Sequence, residues 1–267
     1  MGRVIESLKG KNALITGAAR GIGQVVAHQL ARNGACVGLI DILPEVQYSA
    51  SGVAETGTNS AWAIVDISDP CQVDAGVEEI RSKIGDIDIL VNNAGIVNNI
   101  APLKKMTHEA WNREVSVNLS GAFHMIQAVI RPMAENKWGR IINVSSLGAS
   151  GGLKFQAAYA ASKAGLLGLT KTVTLEHACE GITCNAILPG MIQTEMVQRM
   201  PDEIIQNAKS AIPSGRFGRM EEVAALIAFL ATDEAGFING AEIHIDGGMR
   251  LNQSSLGGRQ KVSKKPK

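Results

Sequence analysis

Short apolar runs alternate along the chain with longer segments whose apolar positions recur every three or four residues. The short runs cover residues 12–16, 35–40, 61–65, 87–92, 139–144, 182–188 and 241–245. Each has strand length, and several are apolar at successive rather than alternate positions. That pattern suits parallel strands buried on both faces. Segments 22–33, 69–84, 118–135, 156–179, 194–209 and 221–231 have the length and amphipathic spacing of helices. The repeated strand–helix–strand order implies right-handed crossovers. It predicts an α/β fold, a doubly wound parallel sheet of about seven strands with helices on both faces. No linker or break in composition divides the chain, so residues 1–250 are expected to form a single domain. Residues 193–219 stand apart as an insert before the last helix, placed to act as a lid. Residues 251–267 lack apolar periodicity, end in a Lys-rich run and are expected to be a basic, disordered tail.

Composition narrows the classes open to such a fold. Apolar residues make up 45% of the 267 positions, enough for a full core. The 26 basic and 25 acidic residues leave a net charge of +1, so neither nucleic acid nor an anionic membrane is an expected partner. No run approaches the ~18 apolar residues of a membrane span. Residues Met1 to Lys9 lack the apolar stretch of a signal peptide, and the expected location is the cytoplasm. Cys36, Cys71, Cys179 and Cys184 show no C-x-x-C spacing and no accompanying His cluster. They read as reduced thiols, and no metal site is expected.

The first strand runs directly into Gly17-Ala18-Ala19-Arg20-Gly21-Ile22-Gly23 and then into a helix. A strand, a Gly-rich turn and a helix N-terminus make an anion site, because backbone N–H groups and the positive dipole end face the ligand. Gly17 permits the tight turn, Gly21 a close approach to a pyrophosphate, and Gly23 close packing of the helix. These features suit a Rossmann-type dinucleotide site. Asp41 closes the second strand, where an acidic side chain holds the adenosine ribose. A carboxylate there accepts from both ribose hydroxyls and repels a 2′-phosphate. No Lys or Arg lies between Asp41 and Arg81 to attract that phosphate. NAD(H) is therefore expected over NADP(H). Arg20 argues the other way, since an Arg in this loop can reach a 2′-phosphate.

Tyr159 and Lys163, in Tyr159-Ala160-Ala161-Ser162-Lys163, share one face of a helix. A tyrosine titrates at about 10. A neighbouring ammonium, or a positively charged nicotinamide, favours the phenolate and lowers that value. Such a tyrosine can take the hydroxyl proton as hydride leaves an alcohol, or return it when a ketone is reduced. Ser146, just after strand 139–144, is the candidate for holding the substrate oxygen. Ser145 is the neighbouring alternative, and the spacing to Tyr159 favours Ser146. Taken singly, each signal is common. Tyr-x-x-x-Lys occurs on many helix surfaces, Asn92-Asn93-Ala94-Gly95 suits a turn after a strand, and Asn118 suits a helix N-cap. His124 and His177 fall within helical segments and read as structural.

In combination the motifs are specific. Thr16-Gly17-Ala18-Ala19-Arg20-Gly21-Ile22-Gly23, Asn92-Asn93-Ala94-Gly95, Val117-Asn118-Leu119, Ser146, Tyr159-x-x-x-Lys163 and Pro189-Gly190 make residues 8–249 resemble the short-chain dehydrogenase/reductase (SDR) family. The resemblance implies a catalytic tetrad of Asn118, Ser146, Tyr159 and Lys163. In it, Asn118 anchors a water that links Lys163 to solvent, and Lys163 also touches the nicotinamide ribose. The resemblance further implies cofactor contacts from the loop residues Gly17, Arg20, Gly21, Ile22 and Gly23. Asp66 and Ile67 would lie at the adenine ring, and Asn92, Asn93, Ala94 and Gly95 along the groove. Pro189, Gly190, Ile192 and Thr194 would cradle the nicotinamide.

Within the family, the chain is most similar in overall look to 3-oxoacyl-[acyl-carrier-protein] reductases. Gly139-Arg140-Ile141-Ile142-Asn143, Ala211-Ile212-Pro213 and Asp246-Gly247-Gly248 suit that subgroup. Its biosynthetic members usually take NADPH, whereas Asp41 favours NAD(H). The expected function is NAD(H)-dependent interconversion of a secondary alcohol, or 3-hydroxyacyl group, with its ketone. NADPH-dependent 3-oxoacyl-[acyl-carrier-protein] reduction is the alternative. A catalytically silent dinucleotide sensor is a third reading, against which all four tetrad residues are present. Substrate-facing segments 96–101, 147–155 and 193–200 are mainly apolar, with Asn98, Asn99, Lys154 and Gln193 as polar exceptions. They suit a moderately apolar substrate without naming it. Small residues from Ala157 to Gly168 let another helix approach helix 156–179. The family pairs its long helices into dimers and its dimers into tetramers, so a homotetramer is expected.

Overall fold

The computed structural model describes residues 7–198 and 201–252; most of the expected basic tail lies outside the described residues. Among the described residues seven strands are present: β1 Asn12–Thr16, β2 Cys36–Asp41, β3 Ser60–Ile64, β4 Ile89–Asn92, β5 Gly139–Val144, β6 Ile182–Pro189 and β7 Glu242–Ile245. They form one sheet in the order β3-β2-β1-β4-β5-β6-β7, with every pairing parallel. β4, β5 and β6 are buried at every position, as expected of strands covered on both faces. The edge strand β3 instead exposes Trp62 and Ile64.

Helices α1 Gly21–Arg32, α2 Val46–Ala54 and α10 Met220–Leu230 cover one face of the sheet. Helices α3 Pro70–Ile84, α5 Gly121–Glu135 and α7 Ala157–His177 cover the other. The strand order reverses between β1 and β4. Crossovers there leave to opposite faces and open a crevice at the carboxyl ends of the strands, which is where open α/β sheets bind ligands.

Local chemistry sets the helix starts. Asp69 accepts the N–H groups of Cys71 and Gln72 at the head of α3, with Pro70 in its first turn. Thr107 accepts the Ala110 N–H at the head of α4 His108–Val115. The chain runs without a break from α4 through a π turn, Ser116–Ser120, into α5. Asn118 therefore lies inside a continuous helical run and is not an N-cap. π turns of this kind are frequent at functional sites.

α2 and α4 form where apolar spacing predicts no helix. The α2 sequence is rich in Val, Ser and Gly, which are weak helix formers. Burial of Val46, Ser49, Ala50 and Val53 on one face overrides that preference. The single helix expected over 194–209 is two helices, α8 Glu195–Gln198 and α9 Asp202–Ala211. Pro201 stands between them and cannot continue a helical hydrogen-bond ladder. The insert packs on its own small core of Val197, Ile212 and Phe217. Among the described residues, no helix is long and apolar enough to cross a membrane. Nor does any group of three or more His, Cys, Asp and Glu among them stand close enough to hold a metal.

Candidate active site

A cleft of about 400 Å³ opens at the switch between β1 and β4. Of the expected cofactor residues, Gly17, Arg20, Ile22, Asp41, Asp66, Ile67, Asn93, Ala94, Gly95 and Thr194 line it. Gly21 adopts a φ of +63°, in the left-handed region that favours glycine. A Cβ on Gly23 would run into the Gly17 carbonyl, so its small size lets α1 close on the turn itself. Pro189 ends β6, and Gly190 donates its N–H to Ile245 O at 3.0 Å. Buried Ile192 bridges to Gly218 and leads the chain to Thr194 at the cleft.

The donors and acceptors at this cleft fit a dinucleotide. Arg20, at the N-cap of α1, makes no side-chain cap, and the first turn holds no acidic residue. The first N–H groups of α1 are thus left for an anion such as a pyrophosphate. Asp41 sits at the end of β2 with Oδ2 accepting the Ala19 N–H at 2.9 Å and Oδ1 the Leu43 N–H at 3.0 Å. Each carboxyl oxygen keeps a second acceptor position, which suits a ribose diol. Thr16 Oγ1 accepts the N–H groups of Asn93 and Ala94 at 3.1 and 3.0 Å. Asn93 Nδ2 donates back to the carbonyls of Thr16 and Gly17 at 3.0 and 3.1 Å. These bonds lock the phosphate loop to the end of β4. Also lining the cleft, Asp66 accepts from Ser68 Oγ at 2.6 Å and from Arg113 at 3.1 Å. Burial raises the Asp66 carboxyl, but the bonds from Ser68 and Arg113 outweigh it and leave the group below the usual range.

Asn118, Ser146, Tyr159 and Lys163 stand on the walls between β4, β5 and α7. Buried Lys163 Nζ donates to Val144 O at 2.8 Å and lies 5.9 Å from the centre of the Tyr159 ring. Burial brings its ammonium down to about 8. Tyr159 stands beside Ser146. Ser145 is turned the other way, donating to Lys163 O at 2.8 Å and pinning β5 to α7. A neighbouring ammonium was expected to draw the Tyr159 phenol downward; here its pKa is raised. Burial is the largest cause, the neighbouring Ser146 hydroxyl opposes it, and the charge of Glu114 adds to it. Asn118 Oδ1 accepts the Ile96 N–H at 2.7 Å, and its Nδ2 donates to Ile96 O and Ser162 Oγ. A Cβ on Gly95 would lie 3.1 Å from Lys163 Nζ and 3.3 Å from Asn118 Oδ1. The cofactor cleft and the tetrad therefore adjoin at Gly95.

Two site residues carry no motif. Arg113 lines the cleft, and Glu114 lies near Tyr159. Both belong to α4. Thr107, a capping residue just before that segment, is the sequence signal that marks the helix and the faces it presents.

This fold and cleft define a dinucleotide-dependent oxidoreductase. A family model described as Enoyl-(Acyl carrier protein) reductase matches residues 17–250. The chain is 40% identical over 246 residues to 3-oxoacyl-[acyl-carrier-protein] reductase FabG of Escherichia coli (strain K12), covering 92% of this chain and 99% of that protein. It is 43% identical over 244 residues to the FabG of Thermotoga maritima, covering 91% and 98%. A solved putative short-chain alcohol dehydrogenase from Sinorhizobium meliloti 1021 matches with a TM-score of 0.88 at 35% identity, covering 92% of this chain and 99% of that one. Levodione reductase matches with a TM-score of 0.86 at the same identity and coverage. The chain belongs to the short-chain dehydrogenase/reductase family. It is an oxidoreductase that acts on CH–OH and keto groups with a nicotinamide dinucleotide.

Proposed function

We propose that the chain is an NAD(H)-dependent enzyme interconverting a secondary alcohol, or 3-hydroxyacyl group, with its ketone, with Tyr159 as the acid/base. The observation that carries the cofactor preference is Asp41, whose carboxyl lines the cleft where the ribose would sit. A nicotinamide dinucleotide in this cleft would supply the hydride donor or acceptor. Ser146 and Tyr159, side by side in the cleft wall, both address the substrate oxygen. The phenol, its pKa raised by desolvation, stays protonated at neutral pH, which suits proton donation to a ketone. Lys163 replenishes that proton, and Asn118 holds the loop and the water path beside it. Residues up to 250 act as one catalytic unit on this reading.

Reduction of a 3-oxoacyl-[acyl-carrier-protein] with NADPH is the second reading. It is favoured by the FabG relatives and by Arg20, which lines the same cleft. A screen at 340 nm separates the two. NADH and NADPH are each tested with acetoacetyl-CoA and with simple and cyclic ketones, and NAD+ with the corresponding alcohols. NADH-linked turnover supports the first reading; NADPH-linked turnover confined to the thioester supports the second.

We also propose assembly into a homotetramer. Leu175 is 85% exposed and Phe237 fully so, with Phe229 exposed as well, which is costly in water for large apolar side chains. The small-residue face of α7 contributes less than its composition suggests. A Cβ on Gly165 would meet Leu119 of the same chain at 2.6 Å, while Gly168 faces open space. A monomer by light scattering refutes the assembly.

A further inference from the structure

Given a ketone site as proposed, we infer that Glu114 is a positioning residue that fixes the substrate-facing loop 96–101 relative to the tetrad. Residues 93–102 form neither helix nor strand. The loop's backbone is held instead by contacts from elsewhere in the fold. Asn118 grips Ile96 at both its N–H and its carbonyl. One helical turn earlier, Glu114 Oε1 accepts two successive N–H groups, those of Asn98 at 2.8 Å and Asn99 at 3.0 Å. At the far end, Ala101 donates its N–H to Phe155 O at 2.9 Å. Phe155 holds a φ of +69°, a left-handed conformation that an aromatic residue rarely adopts. All three anchors lead to elements that carry the tetrad. Glu114 lies on the helix continuous with the Asn118 turn, and Phe155 lies just ahead of α7, which bears Tyr159 and Lys163.

Stability does not account for Glu114. It is 1% exposed and is the one buried residue of α4. Its second oxygen, Oε2, is buried with no hydrogen-bond partner. A half-satisfied buried carboxyl costs free energy, and an apolar side chain on that face would cost less. What the carboxyl supplies is a fixed pair of bonds to a loop that has no ladder of its own. The cofactor side of the same loop is held separately, by Thr16 and Asn93. Loss of Glu114 should therefore loosen the substrate wall and spare cofactor binding.

The test uses the full chain and three variants. Glu114→Gln keeps an acceptor oxygen at the same reach. Glu114→Asp keeps the carboxyl but withdraws it by one methylene, and Glu114→Leu removes the acceptor. With acetoacetyl-CoA as the probe, Asp and Leu should raise KM about tenfold or more while kcat stays within about threefold. Gln should restore KM to within about threefold of the parent. NADH affinity, read by its fluorescence, should stay within about twofold in all three. If Leu fails to fold, the contrast between Asp and Gln still decides. A KM unchanged in Asp and Leu overturns the inference. So does a KM that moves in step with NADH affinity. If the parent turns over no ketone, the function proposed above has failed, and amide exchange at Asn98 and Asn99 judges Glu114 alone. Faster exchange in Asp and Leu but not in Gln upholds the anchor; unchanged exchange removes it.

Discussion

Asp41→Asn tests the cofactor reading with a magnitude that the structure supplies. Asp41 does two jobs at the end of β2. Its oxygens accept the N–H groups of Ala19 and Leu43, and its remaining acceptor positions face the cleft. A hydrogen bond from a ribose hydroxyl to an ionised acceptor contributes about 1.5–3 kcal/mol, so neutralising it should lower kcat/KM for NADH about 10- to 100-fold. Removing the negative charge also relieves repulsion of a 2′-phosphate. In a cleft open to water that relief is on the order of 1–2 kcal/mol, so kcat/KM for NADPH should rise about tenfold. The NADH-to-NADPH preference should thus move by a factor of about 10²–10³. The carboxamide can accept only one of the two backbone N–H groups and turns a donor toward the other. That mismatch should cost about 1–3 kcal/mol of stability, a melting-temperature drop of a few degrees. Initial rates at 340 nm with each cofactor at saturating ketone, beside a thermal melt, read all three effects. Adding Arg20→Ala to this variant should cancel the NADPH gain if Arg20 receives the phosphate. A preference that moves less than about threefold in a folded variant refutes the role of Asp41.

Other perturbations address the chemistry and the frame around it. Tyr159→Phe should abolish turnover while leaving NADH binding by fluorescence largely intact; residual parental activity rejects Tyr159 as the acid/base. Lys163 titrates at about 8 in the folded chain, so kcat/KM for ketone reduction should fall as pH rises past that value. A profile flat to pH 10 refutes the proton supply assigned to it. The same shift carries a stability sign. The folded value lies below the usual 10.5, so the unfolded chain binds more protons between about 8 and 10.5. Stability from this group therefore rises with pH through that window, and Lys163→Met should remove that slope from thermal melts. At the opposite end of the sheet, buried Arg140 donates to the carbonyls of Thr232, Gly139 and Gly181. It also stacks on Trp138 at 4.3 Å, with Lys11 3.5 Å from the same ring centre. Arg140→Met should cost about 2–4 kcal/mol and lower the melting temperature by about 5–15 °C, with NADH affinity unchanged. An unshifted melt refutes the clamp.

Most of the fold is legible in the chain because its strands are buried on both faces. Largely apolar runs mark β4, β5 and β6, and the structure places them within a residue or two of those runs. α2 and α4 are harder to see. α2 is helical through the burial of Val46, Ala50 and Val53 against neighbours that sequence spacing does not reveal. α4 buries a single side chain, and that one is acidic, so no apolar period marks it. The π turn at Asn118 is likewise invisible, since its residues suit an ordinary helix start. In the site, side chains with a motif were readable, but their partners were not. Nothing in the sequence places Glu114 beside Asn98, Asn99 and Tyr159. Nor does it reveal that burial, rather than Lys163, dominates the titration of the phenol.

The loop after β4 shows why these two kinds of information separate. Residues 93–95 are locked to β1 through Thr16 and Asn93, so they belong mechanically to the cofactor half. Residues 96–101 are tied to α4, the π turn and Phe155 ahead of α7, so they are fixed to the elements that carry Asn118, Tyr159 and Lys163. The change of allegiance falls at Gly95, where any side chain would press on Lys163 and Asn118. The cofactor half is built on backbone groups at a strand–helix turn. Glycines therefore recur there in a readable order. The substrate half is a coil pinned by single long-range bonds. On the function and the Glu114 role proposed above, specificity can change through that residue without disturbing the cofactor cleft.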